Sequence, residues 1–151
     1  MWISKRTDYA TRAVLALALA DGNAPMKLEE LSRRTAVPQS VLEQVMPTMR
    51  SAGIVRSERG MHGGYRLNKP PGEITLERVV RLFQGQLAPI GCATRRQPEA
   101  CPMSVDCSLR FVWEEVRDAT IQILASTTFA DLAGRAGGPW RDPPAASVRR
   151  L

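Results

Sequence analysis

Residues 37–67 read VPQSVLEQVMPTMRSAGIVRSERGMHGGYRL, and three signals follow one another in that run. Over residues 39–52, Leu42, Val45, Met46 and Met49 fall on one helical face, which leaves Gln39, Ser40, Glu43, Gln44 and Arg50 on the other. Gly53 stands where a left-handed C-terminal cap belongs. Residues 54–57 and 65–67 then read as two short strands around Glu58-Arg59-Gly60-Met61-His62-Gly63-Gly64, a glycine-rich hairpin tip that carries cationic groups. Pro47 lacks an amide donor and crowds the Glu43 carbonyl, so the spacing predicts a bent helix there.

The segments on either side complete a pattern. A first helix is predicted from Ser4 or Thr7 to Ala20, with Ala10, Ala13, Val14, Leu17 and Ala18 at helical spacing. A second runs over residues 27–35 with Leu28 and Leu31 inward, and Ala36-Val37-Pro38 makes a short turn into the polar-faced third. Two helices joined in this way form a helix-turn-helix, and the basic hairpin after it is a wing. Pro70-Pro71-Gly72 breaks the chain, after which Thr75 caps a helix through Gln84, with Ile74 and Val79 as a hydrophobic staple and Gly85 at its end. Beyond Cys107, Leu109, Val112, Trp113, Val116, Ala119, Thr120 and Ile123 recur by threes and fours, a stripe suited to a partner helix or to packing on its own domain. The predicted fold is mainly α with a small β-hairpin wing: a winged helix-turn-helix domain over 1–85, a cysteine loop over 86–107 and a long dimerization helix and its end over 108–133. Glycine, proline, alanine and arginine without periodicity make 134–151 an expected disordered tail.

Composition narrows the function. Lysine and arginine outnumber aspartate and glutamate 21 to 15, so the surface attracts polyanions such as nucleic acid. The longest apolar stretch, 13–20, is too short to cross a bilayer and has no cleavage context, so a cytoplasmic, membrane-free protein is expected. No nucleotide-binding loop or catalytic triad pattern is present, which argues against an enzyme.

In the major groove, Gln39, Ser40, Glu43 and Gln44 can exchange hydrogen bonds with base edges, Glu43 as an acceptor for a cytosine amino group. Arg59 is placed to enter the minor groove, while Gly63 and Gly64 let the backbone approach the sugar-phosphate chain. Arg56, with Lys5, Arg6 and Arg66, is suited to phosphates. The lone histidine, His62, lies on the wing, closer to DNA or solvent than to a metal.

All three cysteines, Cys92, Cys101 and Cys107, fall in one polar loop in the pattern C-x8-C-x5-C. An odd number in a reducing cytosol argues against structural disulfides. Thiolates are soft ligands for iron-sulfur clusters and for zinc, but structural zinc sites favour close C-x2-C pairs and four protein ligands. A zinc site, a thiol-disulfide switch and an iron-sulfur electron-transfer protein remain alternatives to a cluster-based regulator. Three thiolates leave a four-iron cluster one ligand short.

The run Thr7-Asp8-Tyr9-Ala10, residues 37–67, the following ITLERVVRLFQG and the cysteines together resemble the Rrf-two family of bacterial regulators, whose branches include IscR, NsrR and RirA. The likeness spans roughly residues 1–133, and its SxRGxxGGYxL wing and LEQ helix are specific. It implies a homodimer on palindromic double-stranded operators and an iron-sulfur cluster on Cys92, Cys101 and Cys107, of the 4Fe-4S type in preference to 2Fe-2S. In similar nitric-oxide-sensing members a TDY segment supplies an aspartate to the other subunit's cluster, which implies Asp8 as the fourth ligand; otherwise Asp8 only opposes the first helix dipole. The wide first cysteine spacing and Pro47 resemble the iron-responsive branch instead, leaving iron, nitric oxide and oxidant open as stimuli.

Overall fold

The computed structural model describes residues 3–20, 23–95, 98–103 and 107–136. Helix α1 (Lys5–Ala18) starts where the Ser4 hydroxyl accepts the Thr7 amide at 3.2 Å. Its buried face carries Ala10, Ala13 and Ala16 beside Val14 and Leu17, small side chains that let neighbouring elements approach closely. In α2 (Leu28–Thr35), Glu29 and Glu30 occupy the first turn and Arg33 and Arg34 the last, each sign opposing the helix dipole.

The turn into the next helix is closed by side chains. Ala36 takes a left-handed conformation at φ 54°, the Ser32 hydroxyl donates to the Val37 carbonyl at 2.7 Å, and the Thr35 hydroxyl accepts the Val37 amide at 3.3 Å. Helix α3 (Gln39–Ser51) then runs as one element through Pro47. It stops in paired backbone bonds, Gly53 to the Arg50 carbonyl and Ile54 to the Met49 carbonyl, both 2.9 Å, with Gly53 at φ 67°. That is the left-handed glycine cap expected from sequence.

Strands β1 (Val55–Glu58) and β2 (Gly64–Leu67) pair antiparallel, Val55 facing Leu67 and Glu58 facing Gly64. Sequence periodicity missed a third element: Met26 and Tyr65 exchange two backbone bonds of 2.8 Å, fastening the hairpin to the lead-in of α2. Helix α4 (Leu76–Gln84) has Thr75 as N-cap and Gly85 as C-cap, and the staple residues Ile74 and Val79 are fully buried.

The stretch read from sequence as one dimerization segment divides into α5 (Ser108–Ser126) and α6 (Phe129–Arg135). Thr128 and Asp131 cap α6 reciprocally, and the Thr128 hydrogen bonds hold the Asp131 carboxyl below the usual carboxylate range. The chain here turns back to the winged domain: the Leu76 amide reaches the Thr127 carbonyl at 2.8 Å, and the Phe129 amide reaches the Ile74 carbonyl at 3.0 Å. Phe129 is fully buried in the same core as α1, Leu31, Leu42, Met46 and Ile54. Gly134 and Arg135, assigned from sequence to the tail, complete α6 and Ala136 is its C-cap; residues 137–151 of that expected tail lie outside the described residues.

Candidate nucleic-acid interface and cysteine loop

Helix α3 separates its two faces cleanly. Leu42, Val45, Met46 and Met49 are buried, and Gln39, Ser40, Glu43, Gln44 and Arg50 are exposed together. Gln39 Nε2 donates to Glu43 Oε1 at 3.0 Å, so the carboxylate proposed from sequence to accept from a base already has a neighbour that orients it. The far end of the helix is held from three directions that sequence did not indicate. Arg78 Nη2 of α4 donates to the Ala52 carbonyl at 2.9 Å, Asn68 Nδ2 donates to the Gly53 carbonyl, and Arg50 Nη1 reaches the Ser57 hydroxyl of β1. Helix and wing therefore present one surface rather than two loosely related ones.

On the wing, Arg56 and Arg59 are exposed, and neither joins an ion pair among the described residues. Arg66 differs: it pairs with Glu58 across the hairpin, and its Nε is buried without a partner among the described residues. Arg6 lies with its guanidinium carbon 5.8 Å from the centre of the Phe83 ring. Of the cations assigned to DNA from sequence, Arg56 and Arg59 are free to move toward a phosphate or groove, whereas Arg66 would first give up an internal ion pair. Gly63 and Gly64 have a structural duty beside any contact with DNA. A Cβ on Gly64 would lie 2.5 Å from the Met26 carbonyl oxygen, and one on Gly63 would strike the Glu58 carbonyl, so Gly63 is fixed by the hairpin's own packing and Gly64 by the segment that leads into α2.

The cysteine loop joins α4 to α5. Cys92 sits in a 3-10 turn, Gly91–Ala93, and Cys107 is the N-cap residue of α5, its carbonyl accepting the Arg110 amide at 3.1 Å. Cys101 lies between them, and all three thiols are free and half-buried. Among the described residues no three His, Cys, Asp or Glu side chains are gathered to hold a metal ion; residues 96–97 and 104–106, on either side of Cys101, are outside that description. The donor chemistry, three free soft thiols on one short loop, suits a cluster. Asp8 stands in the first turn of α1, where its carboxylate pairs with Arg12 at 2.7 Å.

The exposed polar face of a helix-turn-helix, braced against a basic hairpin, defines a winged-helix transcription regulator. Residues 3–135 match the family model Rrf2, described as an iron-dependent transcriptional regulator, and the chain belongs to that family. It is 31% identical over 138 residues to the transcriptional regulator CymR of Bacillus subtilis, covering 91% of this chain and 94% of that protein. The solved structure of B. subtilis CymR, called there the global cysteine regulator, superposes with a TM-score of 0.78 at 30% identity, covering 89% of this chain and 98% of that one. T. potens IscR superposes with a TM-score of 0.72 at 26% identity, covering 100% of this chain and 94% of that one. The relatives are named as regulators, so no enzymatic activity is expected. Among the described residues, no helix is long and apolar enough to cross a membrane.

Proposed function

We propose that this chain is a homodimeric repressor of transcription whose affinity for a palindromic operator is set by an iron-sulfur cluster on Cys92, Cys101 and Cys107. The observation that carries the reading is the place of the cysteines: every thiol lies on the one loop that connects the winged domain to α5, and the last of them belongs to the N-cap residue of that helix. Along α5, Leu109, Val112, Val116 and Ile123 are 42–66% exposed, an apolar stripe that a second copy of the same helix would cover. Sensor loop, dimer helix and winged domain are then contiguous, and a change at the thiols reaches the spacing of two recognition helices through α5.

In this reading Gln39, Ser40, Glu43 and Gln44 meet bases in the major groove, Arg59 enters the minor groove, and Arg56 with the backbone at Gly63 and Gly64 meets the phosphate chain. The three thiolates would hold the cluster, and Asp8 of a second copy, paired with Arg12 in the single chain, would be its fourth ligand. The bound cluster would supply a centre that iron supply, oxygen or nitric oxide can alter.

Two expected results test the parts separately. Arg59→Ala should weaken binding to a selected palindromic duplex by about 1–3 kcal/mol, read by fluorescence anisotropy at fixed salt. Unchanged affinity would remove Arg59 from the interface. Val116→Asp would place a charge in the apolar stripe, where burial without a partner is costly, so light scattering should report folded monomers. A dimer of undiminished stability would mean that α5 is not the interface.

A further inference from the structure

We infer that Arg117 is a positioning residue that carries the state of Cys92 to the dimer face of α5; the inference deepens the cluster-sensing reading above and rests on it. Arg117 is the one charged residue buried among the described residues, with 9% of its surface exposed. Its Nη1 donates to the carbonyl of Ala93, the residue after Cys92, while Nε and Nη2 donate to the two carboxylate oxygens of Asp118 at 2.7 and 3.0 Å. Asp118 in turn accepts from Arg95 Nη2 at 2.9 Å, two residues beyond the end of the turn. The turn that holds Cys92 is thus tied to the middle of α5 at Ala93, with an exposed ion pair at Arg95 just after it, and the loop's other end runs into the same helix at its N-cap residue, Cys107.

The placement of Arg117 on its helix gives this pin a function beyond stability. The preceding residue, Val116, is 42% exposed on the stripe that faces a second copy, so one step along α5 separates the group that grips the Cys92 turn from the group that meets the partner. Beside the turn lies a cavity of about 360 Å³, bordered by Leu87, Thr94, Arg95, Arg117 and Ile121. Ala93 itself is fully buried, so its carbonyl is held by packing and by the guanidinium together, while the open space begins at Thr94 and Arg95. When Cys92 gains or loses a ligand, the Ala93 carbonyl moves with it, and the guanidinium that follows the carbonyl rotates or shifts α5. A guanidinium suits this task because its planar donors can hold a carbonyl and a carboxylate at once, which a lysine cannot reproduce.

The test uses the full-length protein and the variants R117Q and R117K. In cluster-free protein, releasing the turn should raise the rate of Cys92 alkylation at least about fivefold in R117Q, with Cys101 unchanged, since local opening governs access to a half-buried thiol. In cluster-loaded protein the three thiolates remain, so R117Q should still take up the cluster, yet the ratio of operator affinities between loaded and cluster-free forms should fall to within about twofold of unity. R117K, retaining the charge and one donor direction, should recover part of that ratio. Wild-type alkylation together with a wild-type affinity ratio in R117Q would overturn the inference, as would a selective change in thermal stability with the ratio intact. Wild-type protein that takes up no cluster would instead overturn the sensing reading, and the alkylation contrast would still decide whether Arg117 holds the turn.

Discussion

Phe129→Ala should lower the stability of the whole winged domain by about 3–5 kcal/mol, the usual effect of emptying a fully buried aromatic site. Phe129 belongs to α6, the last of the described helices, yet it is fully buried in one core with Val14, Leu31, Leu42, Met46 and Ile54. Its own amide and that of Leu76 stitch the same junction, through the carbonyls of Ile74 and Thr127. The aromatic ring therefore closes the base of the winged domain and anchors both ends of the path that runs through the cysteine loop. Domains of this size are stable by about 5–15 kcal/mol, so the variant removes a large fraction of the total. The thermal midpoint should fall by about 6–20 °C. A fall of under about 1 kcal/mol in a urea titration, within the range of ordinary surface substitutions, would show that α6 is not part of the cooperative unit.

Phe129 also marks where sequence stopped being informative. The recognition helix was legible because its four buried side chains repeat at helical spacing and its stop signal, Gly53, acts through backbone conformation alone. The wing was legible for the same local reason. Phe129 stands in a short helix with too few turns to show a period, and the strip before it continues the apolar rhythm of α5, so the two elements read as one. Met26 pairs with Tyr65 through backbone atoms only, which no side-chain pattern records. Gly63 and Gly64 were recognisable as necessary, but the close approach that demands Gly64 comes from Met26, distant in sequence. Nothing in the sequence marks Arg117, because its partner carbonyl at Ala93 lies 24 residues earlier in a loop. The polar face of α3 was visible; the bonds that brace it, Arg78 to Ala52 above all, were not.

Cys92→Ala, Cys101→Ala and Cys107→Ala should each abolish the cluster or leave it severely destabilised, while Asp8→Ala should permit assembly and change only its lifetime toward oxygen or nitric oxide. A thiolate is a strong anionic ligand, and the described loop holds no spare thiol or histidine to replace one. In the proposed reading Asp8 would supply a weaker oxygen ligand, whose place solvent or an added thiol could take. The apoproteins should remain folded, because no cysteine belongs to the core around Leu42 and Phe129. Visible absorption after anaerobic reconstitution, with iron and sulfide analysis, reads the outcome. Full-strength clusters in all three cysteine variants would refute the site, and wild-type lifetime in Asp8→Ala would remove that residue alone.

The most direct measurement follows one anaerobic preparation of the full-length protein on a single palindromic duplex, by anisotropy for affinity and native mass spectrometry for composition, before and after the cluster is removed. The account predicts a dimer whose mass includes iron and sulfide, and an operator affinity that changes by about 5–150-fold when they leave. A dimer carrying zinc or no inorganic component, or one whose affinity is the same in both states, would contradict it.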